Sequence, residues 1–159
     1  MATPLPAFAH SARWRDSPAP SPNERPCVLL AEDDEDSREL LTEAFRRDGY
    51  DVTPVADGGR LLVQVAHDIA SESTFQTYDL LIFDIAMPIC SGLQILAELR
   101  RAHWQTPAIL VTGFCGPGTR AQVEALGGVL FEKPLDLDEV RAAAIQLLCP
   151  NAPTGRAHE

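Results

Sequence analysis

Long apolar runs are missing from this chain. No stretch approaches the roughly 20 apolar residues needed to cross a bilayer. The opening "MATPLPAFAH" has neither the basic start nor the continuous apolar block of a secretory signal. No membrane role is expected, and the expected compartment is the cytoplasm. Positive charge is also scarce: 13 Lys and Arg stand against 23 Asp and Glu, a formal net charge of −10. Phosphate backbones are held by Lys and Arg, so no direct DNA binding is expected. Paired cysteines are lacking too. Cys27, Cys90, Cys115 and Cys149 are scattered without a C-x-x-C, a spacing that fits reduced thiols rather than zinc or a disulfide framework. The histidines are equally dispersed. His10 and His158 fall near the ends, His67 and His103 in helical stretches, and all four read as surface or packing residues.

What is present is one core with loose ends. The 159 residues suffice for one domain and not comfortably for two. Residues 1–25 carry Pro4, Pro6, Pro18, Pro20 and Pro22 among Ala, Ser and Arg, and read as a flexible extension around a lone Trp14. Residues 150–159 read as a short disordered tail. Between them, over residues 26–149, strand and helix signals alternate five times. The apolar runs are "CVLLA" (27–31), "VTPV" (52–55), "LLIF" (80–83), "AILV" (108–111) and "VLF" (129–131). Apolar continuity without in–out alternation suits a parallel sheet covered on both faces. Pro54 cannot donate a ladder hydrogen bond, which places the second strand at an edge.

Helical patterns fill the gaps. A D-x-x-E start signal, Asp36 and Glu39, precedes the first helix, and Gly49 marks its stop. Leu62, Val65, Ala66 and Ile69 predict the apolar stripe of the second. Leu93, Leu96 and Leu99 mark the third. The fourth, around 118–126, is weak, with only Ala121, Ala125 and Leu126 available as a stripe. Asp136 and Glu139 open the fifth. Five βα units with one proline-marked edge make a doubly wound α/β sheet, and such sheets place ligands beyond the C-terminal ends of their strands.

Those ends carry chemistry. "EDDED" (Glu32 to Asp36) follows the first strand, Asp84 the third, Thr112 and Gly113 the fourth, and Lys133 and Pro134 the fifth. Clustered carboxylates raise one another's pKa unless a cation sits among them. A hard divalent ion, Mg²⁺ or Mn²⁺, meets that need with oxygen ligands. Lys133 adds a point charge and Thr112 a donor suited to phosphoryl oxygens. The set suits phosphoryl transfer with Asp84 as nucleophile. Taken singly, each residue has a plainer role: a solvated helix start, an N-cap, a strand-end residue, a surface lysine. Four placements at the correct ends of successive strands give the combination its force.

Residues 27–148 resemble the receiver domain of two-component response regulators, the single-domain chemotaxis regulator being the simplest member. "VLLAEDD", "YDLLIFDIAMP", "CSG", "ILVTG" and "FEKPL" occur in family order. The resemblance implies a flavodoxin-like fold with strand order 2-1-3-4-5. It makes Asp84 the acceptor of a phosphoryl group from a phosphohistidine on a sensor histidine kinase or phosphotransfer protein. Asp33 would ligate Mg²⁺ directly and Glu32 through water, with Asp84 and the main-chain carbonyl of Ala86 completing the set. Thr112 would bond a phosphoryl oxygen, Lys133 would pair with the phosphorylated aspartate, and the Lys133–Pro134 bond would be cis. Gly113 matches the small residue that keeps the phosphate accessible, while Ala86 and Phe114 fall where the family tunes acyl-phosphate lifetime.

Two features depart from the family. Its usual aromatic three residues before the lysine is here Leu130, with Phe131 one step along and facing the opposite side of the sheet. The interval from Thr112 to Lys133 is also about one residue short. The ten residues from Pro150 onward are too few for a DNA-binding module. Output is therefore expected through a downstream protein target or onward phosphotransfer, with a phosphorylation-dependent dimer left open. A scaffold of receiver shape, indifferent to phosphorylation, is the alternative. An aspartyl-nucleophile phosphatase is disfavoured, because its second acid, two residues on, is here Ala86. A flavin protein lacks its Ser/Thr/Gly-rich loop after the first strand. No enzymatic turnover of free substrates is expected.

Overall fold

Strands that are apolar throughout need cover on both faces, and the topology supplies it. The computed structural model describes residues 25–70 and 78–149. The expected extension and tail, apart from Arg25, lie outside the described residues. In chain order the elements are β1 (Cys27–Ala31), α1 (Glu35–Arg47), β2 (Asp51–Val55), α2 (Gly58–Ala70), β3 (Leu80–Asp84), α3 (Gly92–Arg101), β4 (Ala108–Thr112), α4 (Thr119–Ala125), β5 (Gly128–Glu132) and α5 (Leu137–Leu148). The five strands form one parallel sheet in the order β2-β1-β3-β4-β5. This is the flavodoxin-like order, 2-1-3-4-5.

Alternation along each strand divides the core into two layers. Val28, Leu30, Leu80, Ile82, Ile109 and Val111 face Leu41 and Phe45 of α1 and Val140 and Ala144 of α5. Leu29, Ala31, Leu81, Phe83, Leu110 and Leu130 face Leu61 of α2, Ile95 and Leu96 of α3 and Val123 of α4. Leu130 and Phe131 therefore occupy opposite layers, as the alternation requires.

The edge position of β2 follows from Pro54 and is reinforced by an arginine. Asp51 N–H donates to Pro26 O and Val55 O accepts from Glu32 N–H, so residues 51 and 55 bond inward. Val52 and Pro54 then turn their backbone outward. Pro54 has no N–H to offer, and the Val52 carbonyl is taken by Arg46 at 3.2 Å. Little of this edge is left to template another strand.

Four helix expectations need correcting. Helix α1 starts one residue before Asp36: its N-cap is Asp34, whose carboxylate accepts from Ser37 N–H. In α2 the buried positions are Leu61 and Val65, whereas Leu62 and Ala66 are exposed. A Cβ on Gly58 would lie 2.1 Å from Cys90 O, so the first turn presses on the β3–α3 loop, and this seating sets the helix's rotation. In α4 the buried residue is Val123, while Ala121 and Ala125 face solvent. His103 lies just past α3 in a left-handed conformation, φ 63°, rather than within the helix. Cys90, Cys115 and Cys149 are free thiols, and no described helix is long and apolar enough to cross a membrane.

Candidate functional site

Glu32, Asp84 and Lys133 continue the alternation of the layer that faces α1 and α5, and they meet at one rim. Lys133 Nζ lies 2.9 Å from Asp84 Oδ2 and 2.9 Å from Glu32 Oε2. Lys133 is the only lysine in the chain. Its ammonium serves two carboxylates that are almost wholly enclosed, Glu32 at 0% and Asp84 at 3% exposure.

Main-chain donors hold both acids in place. Asp84 Oδ1 accepts from Ala86 N–H at 3.0 Å and Glu32 Oε1 from Asp34 N–H at 3.1 Å. Glu32 Oε2 has only the ionic contact with Lys133 among the described residues; its geometry is not that of a well-aligned hydrogen bond. Burial pushes the Glu32 carboxyl up to about 7, with Asp84 beside it adding to the rise and Lys133 and the Asp34 amide opposing it. Burial alone would lower Lys133, but its bonds to Glu32 and Asp84 outweigh that, and its net shift is upward.

Asp33, exposed at the same rim, completes a cluster. Carboxylate oxygens of Glu32, Asp33 and Asp84 all lie within 4.8 Å of one another. One ammonium faces three acids and contacts two of them, Glu32 and Asp84. A hard, all-oxygen divalent cation such as Mg²⁺ fits both the charge deficit and the donor set. Ala86 follows in the exposed turn after Asp84, tied to it through the amide bond above.

Thr112, Gly113 and Pro134 lie at the ends of β4 and β5. Thr112 ends β4, one register step beyond Val111, the neighbour of Asp84. Its hydroxyl is committed locally, donating to Phe114 O at 2.8 Å and accepting from Phe114 N–H at 3.2 Å. Lys133 N–H donates to Thr112 O at 2.8 Å, and the Lys133–Pro134 peptide is cis. A Cβ on Gly113 would meet nothing within 4 Å, so this position is open.

Two residues of the site carry weaker sequence signals. Gly92 opens α3 where a Cβ would fall 2.3 Å from Asp84 O. The helix thus packs directly on the backbone of the central aspartate, and only glycine permits it. Its signal is the Ser-Gly after "MPIC": Ser91 and Gln94 form a capping box, with bonds of 3.1 Å in each direction. Arg38 on α1 donates to the carbonyls of Glu32 at 3.0 Å and Asp33 at 3.4 Å. Nothing in the sequence separates it from the chain's other arginines.

Comparison with known proteins agrees with this geometry. Residues 28–145 match the family model described as "Response regulator receiver domain". The chain is 34% identical over 116 residues to Regulatory protein AtoC of Escherichia coli, spanning 71% of this chain and 23% of that one. It is 35% identical over 133 residues to Response regulator protein PmrA of Pseudomonas aeruginosa, covering 82% and 55%. It thus spans about half or less of these relatives' length. Sporulation initiation phosphotransferase F of Bacillus subtilis is 28% identical over 122 residues and is matched over 92% of its length, against 76% of this chain. Among solved structures, the response regulator TrrA of Thermotoga maritima in complex with Mg²⁺–BeF superposes with a TM-score of 0.65 at 27% identity, covering 77% of this chain and 99% of that one. The chemotaxis response regulator CheY4 of Vibrio cholerae gives 0.65 at 22% identity, covering 79% and 100%. Fold order, rim chemistry and family match converge: the chain belongs to the response regulator receiver domain family.

Proposed function

We propose that this receiver is a phosphorylation switch that takes a phosphoryl group onto Asp84 from a phosphohistidine on a sensor histidine kinase or phosphotransfer protein. Glu32, Asp33, Asp84 and the main-chain carbonyl of Ala86 would hold Mg²⁺, with Mn²⁺ as a substitute. The observation that carries the reading is the shared ammonium. Two enclosed carboxylates and an exposed third converge within 4.8 Å on an oxygen-rich site that Lys133 alone cannot neutralise.

An Asp84 carboxylate oxygen attacks phosphorus, a phosphorus–oxygen bond forms, and the bond from phosphorus to the donor imidazole nitrogen breaks. The imidazole keeps that electron pair. A bound divalent cation supplies charge neutralisation for the transferring oxygens. Lys133, 2.9 Å from Asp84 Oδ2, would pair with the phosphorylated side chain. Thr112 donates to a phosphoryl oxygen once its hydroxyl leaves Phe114, and Gly113 leaves the approach open. Hydrolysis of the acyl phosphate resets the switch, and output passes to a downstream protein by contact. The name of Sporulation initiation phosphotransferase F, matched over 92% of its length, supports a relay of this kind.

One observation favours a second reading, a scaffold whose partner ignores phosphorylation. Leu130 holds the place of the family's usual switch aromatic and is buried in the layer facing α2, α3 and α4. Intact-mass analysis after incubation with acetyl phosphate tests the acceptor: one phosphoryl group is gained with Mg²⁺ and none with a chelator. Partner affinity measured with and without a phosphoryl mimic separates the two readings, since it shifts for the switch and stays unchanged for the scaffold.

A further inference from the structure

We infer that Arg38 is a positioning residue for the acidic pair: its guanidinium ties down the β1–α1 loop so that Glu32 and Asp33 can hold a divalent cation together. This rests on the proposed Mg²⁺ site and adds a residue to which the site owes its shape.

Arg38 is placed unusually. Side chains on a helix lean toward its N-terminus, so an arginine at the close of the first turn of α1 reaches back over the loop that precedes it. A cation there is disfavoured by the helix dipole, whose positive end it approaches. It lies close in sequence to five consecutive acids, Glu32 to Asp36, yet it forms no ion pair with them among the described residues. Instead, one nitrogen, Nη1, donates to two main-chain carbonyls, Glu32 O at 3.0 Å and Asp33 O at 3.4 Å. Its role is backbone restraint.

The loop needs such restraint. Adjacent acids repel one another, and that repulsion acts to open the turn. Glu32 is gripped at four points: its N–H by Val55 O, its Oε1 by Asp34 N–H, its Oε2 by Lys133, and its carbonyl by Arg38. Asp33 has no comparable set. Its side chain is exposed, and its carbonyl bond to Arg38 links it to the body of α1. Of the two acids, Asp33 therefore depends more on Arg38 for its place beside Asp84.

Charge alone and positioning predict opposite signs. Removing a cation near a Mg²⁺ site should tighten Mg²⁺ binding if only Coulomb attraction matters. Removing a restraint on the ligands should weaken it, about tenfold by analogy with other partners that orient metal ligands. Arg38→Met keeps the apolar stem and deletes charge and donors. Arg38→Lys keeps the charge but loses the extended guanidinium.

The test is calorimetric titration of the unphosphorylated protein and both variants with MgCl₂, together with amide hydrogen exchange of Asp33 and Asp34 in metal-free buffer. We expect Arg38→Met to bind Mg²⁺ about tenfold more weakly, and Arg38→Lys to fall between it and wild type. Exchange at residues 33 and 34 should rise in Arg38→Met while the β1 and β3 amides stay protected. Equal or tighter Mg²⁺ binding by Arg38→Met, with exchange unchanged, overturns the inference. A wild-type protein that binds no Mg²⁺ defeats the proposed function instead, and the exchange comparison still decides whether Arg38 restrains the loop.

Discussion

The Thr112 hydroxyl holds both backbone groups of Phe114, its carbonyl at 2.8 Å and its N–H at 3.2 Å. Thr112 is 2% exposed and Phe114 81%, so a buried side chain grips the base of an exposed aromatic. A hydroxyl has one proton to donate. Donation to a phosphoryl oxygen on Asp84 therefore releases the Phe114 carbonyl. Thr112→Val removes the grip without phosphorylation. With a hydrogen bond contributing about 1 kcal/mol, exchange of the Phe114 amide should quicken about fivefold, and Thr112→Ser should restore it. Equal exchange in all three proteins would show that the hydroxyl does not hold this loop.

Lys133 is predicted to be a stabiliser as well as a phosphoryl partner. Lys133→Met leaves the Glu32 and Asp84 carboxylates enclosed without their cation. Breaking such a pair from one side costs about 3 kcal/mol. The loss should be largest near pH 8 and smaller near pH 5.5, where Glu32 takes up a proton instead. Urea unfolding at the two pH values reads the difference. Because the chain has one lysine, reductive ¹³C-methylation also places a single side-chain reporter in the site, and its NMR signal should shift on addition of Mg²⁺.

Stability of the metal-free protein should fall as pH rises through neutrality. The Glu32 carboxyl stands at about 7 in the fold against an ordinary 4.5, mainly because burial disfavours its charged form. Between those values the folded state keeps a proton that the unfolded state has released. The contribution is complete below 4.5 and lost as pH climbs through about 7, a change on the order of 3 kcal/mol. Glu32→Gln should flatten that part of the profile. A wild-type curve that is already flat from pH 4.5 to 8 contradicts the assignment.

Two glycines at the rim should respond oppositely to an added methyl group. Gly92→Ala sets a Cβ 2.3 Å from Asp84 O, so α3 or the Asp84 backbone must shift, and overpacking of this kind costs about 1 to 3 kcal/mol. Melting temperature and phosphorylation rate should both drop. Gly113→Ala meets nothing within 4 Å and should melt like the wild type. Similar melting of the two variants would remove the claim that α3 is seated on the central aspartate.

Much of this site could be read from sequence because a parallel sheet turns linear order into spatial order. A residue directly after an apolar run sits at the strand's C-terminal end, so linear order alone brings Glu32, Asp84, Thr112 and Lys133 to one rim. Pro54 marked the edge through its missing N–H. Helix rotation was harder. "LLV" in α2 offers three equivalent apolar residues, and the choice of Leu61 depends on Gly58 seating against Cys90 O, a contact between distant segments. Val123 is the one buried residue of a seven-residue α4, too short for periodicity to single it out. Arg38 was illegible because its partners are main-chain carbonyls, which every residue has. The hydrogen bonds of Thr112 to Phe114 are local, but sequence alone does not say where a hydroxyl turns.

The most direct test is to locate the phosphoryl group. The protein is treated with acetyl phosphate and Mg²⁺, reduced with borohydride to convert any acyl-phosphorylated aspartate to homoserine, then digested and mapped by mass spectrometry. The conversion should fall on Asp84 alone and vanish in Asp84→Asn. Conversion at Asp33 or another acid in the wild type, or undiminished labelling of Asp84→Asn, would contradict Asp84 as the acceptor.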